Sequence, residues 1–327
     1  MKKSYLLVLI IICVIFEGCT LPKVNMFNPV TDPLKEYTLE GAGNEKVLLI
    51  PVYGMISDSP KKEFIASSPS VVEQVVLQLD KAYKDKQIKA IVFKINSPGG
   101  TITASDLLYH EISRYKEKTG CKIVVSMMDL ATSGAYYMSL PADLITAHPT
   151  TITGSVGVIS LQPKVKGLMY KIGVGVDVQK VGKYKDMASP FRETGDDEKA
   201  LLQKTMNDFG DRFIGLVKKH RNLTPNAIAE ISTARIFVAD EALQAGLIDK
   251  IAYINDAVAE AKKMAGIPEN SKVIVYRRNE LPETNYYNMA DVTSENFKMS
   301  FINIDLPEVL SAKAGFYYMW PGAFSNE

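Results

Sequence analysis

The chain has 327 residues, 46% of them hydrophobic, so it can bury the core of one large or two modest domains. Its formal net charge of +1 and the lack of a basic block argue against nucleic-acid binding. Its three cysteines are Cys13, Cys19 and Cys121, and only Cys121 lies beyond the N-terminal segment, which excludes a disulfide framework in the body of the chain.

The N-terminus has the pattern of an export signal. Two lysines precede an apolar run at 5–16, which is too short to span a bilayer comfortably as a helix. A glycine then precedes Cys19, as in the lipobox of bacterial lipoproteins, although the two residues before that glycine depart from the lipobox. We predict a signal peptide at 1–18 and a tether at 19–45. Lipidation at Cys19, an uncleaved anchor and a plain secretory signal stay open, and each predicts a body outside the cytosol.

Residues 46–280 are predicted to form one α/β domain, followed by a tail at 281–327 to which we assign no role. Apolar strands alternate with amphipathic helices, a pattern that predicts a parallel sheet with helices packed on it. The expected strands are 46–53, 88–95, 121–127, 143–147 and 173–180. The expected helices are 70–84, 103–118, 134–140, 198–219, 239–246 and 254–265, with a polar loop at 181–195.

Two glycine-containing turns carry the first functional signal. The stretch Asp129–Tyr137 (DLATSGAYY) puts Ser133 on a turn from strand to helix, where its hydroxyl lies near helix N-terminal amides, as an acyl-transfer nucleophile requires. The stretch Asn96–Gly100 (NSPGG) leaves the backbone bare for a ligand. One hypothesis is an oxyanion hole made by the Gly100 and Gly134 amides. The alternative is that these residues only permit tight packing and a bend.

A nucleophilic serine needs a general base, and histidine is the first candidate. His148 is the one contender, because His110 and His220 fall on predicted helices where solvation is the simpler interpretation. No His-x-x-x-His spacing supports a zinc peptidase.

A lysine is the other possible base, provided that its amine is neutral. The polar loop contains Lys183 and Lys185, and spacing alone does not choose between them. Because the reference pKa of lysine is about 10.4, burial and hydroxyl contacts must lower the pKa of such a base. Ser155, in the segment Thr153–Gly157 (TGSVG), is a candidate hydroxyl to hold the amine.

Several motifs occur together and in one order. They are NSPGG at 96–100, ATSGAYY at 131–137, TGSVG at 153–157, YKD at 184–186, RIFVADEAL at 235–243 and AGLID at 245–249. In this order they resemble the signal peptide peptidase A family of bacterial serine-lysine peptidases, over about residues 47–251.

The resemblance implies an α/β fold of the Clp protease and crotonase group, a superhelix of repeated ββα units with a parallel sheet and flanking helices. It implies that Ser133 is the nucleophile, Lys185 the general base and Ser155 the hydroxyl that bonds the lysine amine, with the Gly100 and Gly134 amides as oxyanion hole. The implied reaction needs no metal or organic cofactor. The implied substrates are cleaved signal peptides or other extended hydrophobic peptides.

The chain departs from the family at Ala135 and Ala234, where glycine is common, and neither change removes a catalytic group. The resemblance also implies a membrane-associated homo-oligomer in the bacterial envelope whose neighbouring subunits complete each active site. Whether Lys185 acts on Ser133 of its own chain or of a neighbour stays open. The competing hypotheses are a Clp-like Ser-His protease that uses His148 and an inactive envelope scaffold on the same fold.

Overall fold

The computed structural model describes residues 33–62, 67–279, 281, 284–287 and 314–324. The predicted signal peptide, Cys19 and the first part of the predicted tether lie outside these residues. Among the helices of the described residues, none combines the length and the hydropathy that a membrane crossing requires.

Strands and helices alternate along most of the described chain. The strands are β1 (Lys35–Glu40), β2 (Lys46–Tyr53), β3 (Lys61–Lys62), β4 (Ser67–Ser68), β5 (Ile88–Ser97), β6 (Gly99–Thr101), β7 (Lys122–Thr132), β8 (Leu144–Ala147), β9 (Ile152–Gly154), β10 (Ile159–Leu161), β11 (Ile236–Val238), β12 (Lys250–Ile251), β13 (Lys272–Arg277) and β14 (Gly315–Met319). The helices are α1 (Val71–Lys84), α2 (Ile102–Thr119), α3 (Gly134–Ser139), α4 (Lys166–Ile172), α5 (Asp196–His220), α6 (Pro225–Ile231), α7 (Ala239–Gln244) and α8 (Ile254–Ala265), with a 3-10 helix at Pro321–Phe324.

The main sheet has the strand order β1-β13-β2-β5-β7-β8-β12, and β9 pairs with the end of β7 while β11 pairs with β9. The pairs from β13 through β12 are parallel, whereas β1 and β11 pair antiparallel with β13 and β9. This architecture confirms the predicted α/β class with a mostly parallel sheet and flanking helices. A second, antiparallel sheet has the order β10-β14-β6.

Helices cover both faces of the main sheet. On β2, Leu48 and Ile50 join the larger core beneath α1, α2, α3 and α5, while Val47 and Leu49 join a smaller core beneath α8. All four side chains are fully buried. Because successive strand residues point to opposite faces and both faces are covered, the central strands are apolar at nearly every position.

Polar caps define the ends of the two helices that follow β4 and β6. The Ser70 hydroxyl accepts a hydrogen bond from the Glu73 amide at 3.1 Å, and the Thr101 hydroxyl accepts one from the Ala104 amide at 3.3 Å. Gly120 ends α2 with a φ of 67°, which glycine adopts without strain. Both helices were predicted to within one residue at each end, because such caps are visible in the sequence.

The predicted strand at 173–180 is wrong. Helix α4 ends at Ile172 and is capped by Gly173, and residues 174–180 form neither helix nor strand. Their alternating valines, Val174, Val176 and Val178, have exposed fractions of 51%, 48% and 51%. Alternation alone does not make a strand here, because among the described residues no neighbouring strand supplies hydrogen-bond partners for this segment.

The predicted tether is wrong for residues 35–40, which form the edge strand β1. This strand pairs antiparallel with β13, from Lys35 opposite Arg277 to Glu40 opposite Val273. The Arg277 guanidinium lies 4.3 Å from the centre of the Tyr37 ring. By covering β13, the strand shields an otherwise unpaired sheet edge.

Lys94 on β5 is a buried cation, 2% exposed. Its ammonium donates to the Tyr286 carbonyl at 2.7 Å and lies 5.4 Å from the ring centres of Tyr53 and Tyr287. Burial lowers the pKa of Lys94 from 10.5 to about 8. Between these two pH values the unfolded chain binds a proton that the folded chain does not, so Lys94 makes the free energy of unfolding rise with pH in that window.

We therefore expect the Lys94→Met variant to lose this rise, which amounts to at most about 3 kcal/mol in the wild type. Urea unfolding at intervals between about pH 7.5 and pH 10 measures it. The Lys89→Met variant is the matched control, since Lys89 is exposed on the same strand and its replacement should leave the rise intact. A Lys94→Met profile parallel to that of the wild type contradicts the assignment.

Candidate active site

Ser133 lies at the junction of β7 and α3. Its backbone has φ 52° and ψ −115°, a conformation that a non-glycine residue rarely adopts, and its amide donates to the Gly154 carbonyl at 2.7 Å. The residue is 1% exposed, and its hydroxyl has no hydrogen-bond partner among the described residues. Backbone strain and an unsatisfied buried hydroxyl are both costly, and they cluster at functional sites.

Ser155 lies on the adjacent strand end. In the register of β7 and β9, Thr132 is opposite Gly154, so the two residues that follow, Ser133 and Ser155, leave neighbouring strands at the same edge. Ser155 is also strained, with φ 51°, and its amide donates to the Arg235 carbonyl at 2.9 Å. The fold thus brings together two serines that are far apart in the sequence.

The two predicted glycine turns also meet. Gly100 lies against Ile56, whose carbonyl accepts from the Thr101 amide at 3.0 Å. A methyl group added to Gly134 would lie 3.2 Å from the Gly100 nitrogen, and one added to Gly99 would lie 2.7 Å from the Gly134 nitrogen. The backbones of both turns are therefore in direct contact beside Ser133.

Lys185 does not meet Ser133 within the chain. It is exposed in the loop at 181–195, which has neither helix nor strand, as predicted. Among the described residues its ammonium forms no hydrogen bond or ion pair, and the buried Ser133 hydroxyl has none either. The structure therefore brings Ser133, Ser155, Gly100 and Gly134 together, while the exposed Lys185 makes no hydrogen bond to Ser133 among the described residues.

The alternative lysine is engaged elsewhere. The Lys183 ammonium forms an ion pair with Asp197 at 2.5 Å and lies 4.9 Å from the centre of the Tyr184 ring. The hydrogen bond to Asp197 raises the pKa of Lys183 above its ordinary value. A general base needs the opposite shift, so the local geometry disfavours Lys183.

The histidines have other partners as well. His148 bonds the Thr150 hydroxyl through Nδ1 at 2.9 Å and packs edge-on against Tyr253, and within the described residues it makes no hydrogen bond to Ser133. His220, which was expected to be solvated, is half-buried, and its Nε2 is 2.8 Å from the Tyr109 hydroxyl. In the described part of the chain, no group of three or more His, Cys, Asp or Glu residues is placed to hold a metal ion.

Arg192 was not singled out from the sequence, yet it organises the loop that carries Lys185. Its guanidinium donates to both Asp186 carboxylate oxygens at 2.7 and 2.9 Å and to the Asp186 carbonyl at 3.0 Å. It also donates to both carboxylate oxygens of Glu198, at 2.7 and 2.5 Å. Asp186 follows Lys185 directly, so these hydrogen bonds connect the turn that contains Lys185 to the first turn of α5.

We expect the Arg192→Lys variant to lose about 10-fold in activity on peptides and to unfold at a somewhat lower temperature, because lysine cannot bond two carboxylates bidentately. Peptide hydrolysis and thermal unfolding measure the two effects. The Lys183→Met variant, which removes an exposed ion pair of the same loop, serves as control and should keep both its activity and its stability. Equal activity of the Arg192→Lys variant and the wild type would contradict the proposal that Arg192 positions the turn of Lys185.

The hydrogen bonds of Arg192 also predict that the loop at 181–195 becomes less stable in acid. The hydrogen bonds from Arg192 lower the pKa of Glu198 from 4.5 to about 2. A carboxylate with a lowered pKa stabilises the folded form above its ordinary pKa, and this contribution is lost as the pH falls from 4.5 towards 2. Proteolytic cleavage within 181–195 should therefore accelerate in that window, and Arg192→Lys should show the acceleration at higher pH.

Comparison with known proteins places these features in a family. The model of peptidase family S49 matches residues 115–268. The chain is 33% identical over 264 residues to an Enterococcus faecium protein named signal peptide peptidase SppA, covering 80% of this chain and 76% of that one. It is 29% identical over 248 residues to protease 4 of Haemophilus influenzae, covering 74% of this chain and 38% of that one.

Among solved structures, a mutant of ClpP1 from Listeria monocytogenes superposes on 64% of this chain and 94% of its own, with a TM-score of 0.42 and 18% identity. The family is shown by the similarity to the Enterococcus faecium relative, which extends over most of both chains, and the family model agrees with it. The chain belongs to peptidase family S49, whose members are serine peptidases.

Proposed function

We propose that the chain is an endopeptidase in which Ser133 is the nucleophile and Lys185 the general base. The observation that carries the proposal is the Ser133 hydroxyl, which is buried, unbonded among the described residues and held on a strained turn. Such a hydroxyl is free to bond a group that the described residues of the chain do not supply.

The reaction follows from these groups. A neutral Lys185 amine takes the Ser133 proton as the Ser133 oxygen attacks the peptide carbonyl, and the Gly100 and Gly134 amides stabilise the oxyanion. The lysine then protonates the leaving amine, which leaves an acyl-enzyme. Water, deprotonated by the same amine, hydrolyses the ester and regenerates Ser133. Ser155 orients the amine by accepting a hydrogen bond from it.

We further propose that Lys185 reaches Ser133 of a neighbouring subunit. An exposed apolar segment precedes the lysine, at 168–184, and two of its side chains, Tyr170 and Val181, are 89% and 96% exposed. Exposed apolar surface of this extent is typical of a protein interface. Burial of the segment against a second copy would also remove water from around Lys185, as a lysine base requires.

The substrates that we propose are cleaved signal peptides or other extended hydrophobic peptides, since the name of the Enterococcus faecium relative refers to signal peptides. Export by residues 1–18 and lipidation of Cys19 would hold the enzyme at the membrane, outside the cytosol. Labelling of cells with a radioactive fatty acid tests the anchor, and the Cys19→Ala variant should lose the label. Equal labelling of both forms would contradict lipidation at Cys19.

Hydrolysis of fluorogenic hydrophobic peptides by the full-length chain in detergent tests the dyad. We expect Ser133→Ala and Lys185→Ala each to lose about 10⁴-fold in kcat/KM, with oligomer size unchanged, and His148→Ala to stay active. Loss in His148→Ala but not in Lys185→Ala would support the Clp-like alternative. A wild type that cleaves no peptide and reacts with no serine-directed phosphonate would support the inactive scaffold.

A further inference from the structure

The peptide unit between Gly154 and Ser155 is hydrogen-bonded to a neighbouring segment on each side. Its carbonyl accepts from the Ser133 amide at 2.7 Å, and its N–H donates to the Arg235 carbonyl at 2.9 Å. The three segments are the ends of β7 and β9 and the residue before β11, and these strands pair in one sheet. Because a peptide unit is planar and rigid, a change in its tilt moves both hydrogen bonds. The position of the Arg235 carbonyl therefore affects both serines of the candidate site.

The backbone on each side of the hydrogen bond between Ser155 and Arg235 is strained. Ser155 has φ 51°, and Ala234, directly before Arg235, has φ 60°, which residues other than glycine rarely adopt. A methyl group added to Gly157 would lie 2.6 Å from the methyl group of Ala234, so this turn packs closely on the chain that follows Ser155. Strained conformations persist only where surrounding contacts hold them. The turn before β11 therefore needs a group that fixes it.

The Arg235 side chain supplies these contacts. Its guanidinium donates to one carboxylate oxygen of Glu230 at 2.9 and 2.5 Å and to Glu241 at 2.8 Å. It also donates to the Ile236 carbonyl at 2.9 Å. Glu230 lies in α6 and Glu241 in α7, so one side chain holds the elements before and after the turn.

Arg235 also reaches the Gly154–Ser155 peptide unit through Phe237. The central carbon of the guanidinium lies 3.7 Å from the centre of the Phe237 ring. The ring is buried and packs against Gly154, where an added methyl group would lie 2.6 Å from a ring carbon. Arg235 therefore fixes one residue of the peptide unit through its own carbonyl and the other through this ring.

We propose that Arg235 is a positioning residue for both serines: it sets the tilt of the Gly154–Ser155 peptide unit and so directs the Ser155 hydroxyl at the amine of the lysine base. The proposal rests on the proposed function, because it takes Ser133 as nucleophile and Ser155 as the hydroxyl that bonds this amine. Among the described residues the Arg235 guanidinium makes no hydrogen bond to either serine, so it acts through the backbone.

The first test is steady-state peptide hydrolysis by the full-length Arg235→Met variant, which keeps an unbranched side chain but lacks the guanidinium. We expect kcat to fall about 20-fold and KM to change by less than about 2-fold, because orientation of the base affects the chemical step and not peptide binding. Wild-type kcat in this variant, with Ser133→Ala and Lys185→Ala inactive, overturns the positioning role and leaves the proposed function intact. Activity that survives Lys185→Ala overturns both.

The Arg221→Met variant separates positioning from a loss of stability. Arg221 bonds Asp249 at 2.7 and 3.1 Å and the Gly246 carbonyl at 2.8 Å, and among the described residues it makes no hydrogen bond to β7, β9 or β11. Both variants should have lower melting temperatures, but only Arg235→Met should lose kcat. An equal fall in kcat in both variants would make Arg235 a merely structural residue and overturn the proposal.

The Arg235→Lys variant keeps the positive charge and covers the case in which Arg235→Met does not fold. Lysine cannot bond both carboxylates and the carbonyl as a guanidinium does, so we expect a melting temperature near that of the wild type and a kcat about 5-fold lower. Wild-type kcat in this variant would show that the charge alone is sufficient, which contradicts positioning by the guanidinium.

A double-mutant cycle tests whether Arg235 acts through Ser155. In a Ser155→Ala background the lysine amine has no hydroxyl to lose, so we expect Arg235→Met to lower kcat only about 3-fold, by its effect on Ser133, instead of about 20-fold. Equal factors in the two backgrounds would show that Arg235 acts independently of Ser155 and would overturn the proposal.

Discussion

Mixing the Ser133→Ala and Lys185→Ala proteins, each inactive alone, is expected to restore roughly a quarter of the wild-type activity. In a ring of randomly mixed subunits, one interface in four pairs an intact serine with an intact lysine from its neighbour. The expectation rests on the single chain, in which the Ser133 hydroxyl is buried while Lys185 is exposed and has no partner among the described residues. The gain should appear as recovered peptide hydrolysis.

The control is the double variant, which carries both substitutions. Mixed with either single variant, it leaves no interface with both groups intact, so these mixtures should stay inactive. Two differently tagged variants that purify together establish that subunits have exchanged. Exchange without recovered activity would show that each Lys185 serves the serine of its own chain.

Replacing Gly100 by alanine is expected to lower the free energy of unfolding by about 3 kcal/mol or more and to reduce activity at least 100-fold. A methyl group at Gly100 would lie 1.8 Å from the Ile56 carbonyl oxygen, which is backbone and cannot rotate away. The turn must therefore shift, and with it the Gly100 amide that we propose as part of the oxyanion hole. Urea unfolding and peptide hydrolysis measure the two effects.

Gly210→Ala is the matched control for this substitution. Gly210 lies within α5, and a methyl group there would meet nothing within 4 Å. Because alanine favours the helix by up to about 1 kcal/mol over glycine, this variant should be as stable as the wild type or more so. If Gly100→Ala were as stable as Gly210→Ala, the contact between Gly100 and Ile56 would be too loose to define the site.

Local patterns were sufficient for the elements that local chemistry governs. The apolar runs of β2, β5 and β7 and the caps at Ser70 and Thr101 are readable because burial on both faces and capping depend on neighbouring residues. The edge strand at 35–40 was not predicted from the sequence, since its pairing with β13 joins segments more than 230 residues apart. The alternating valines at 174–180 were misread as a strand, because the alternation does not show whether a partner strand is present.

The sequence by itself determined the family and the residues around which the site is built. Each of the motifs at 96–100, 131–137 and 153–157 is an unbroken stretch of sequence, and their order along the chain is typical of the family. Only the tertiary structure decided how these motifs meet, that Lys185 is exposed, that Arg192 bonds Asp186 beside it and that β14 pairs with β6. These last relations depend on contacts between segments distant in sequence, which no local periodicity records.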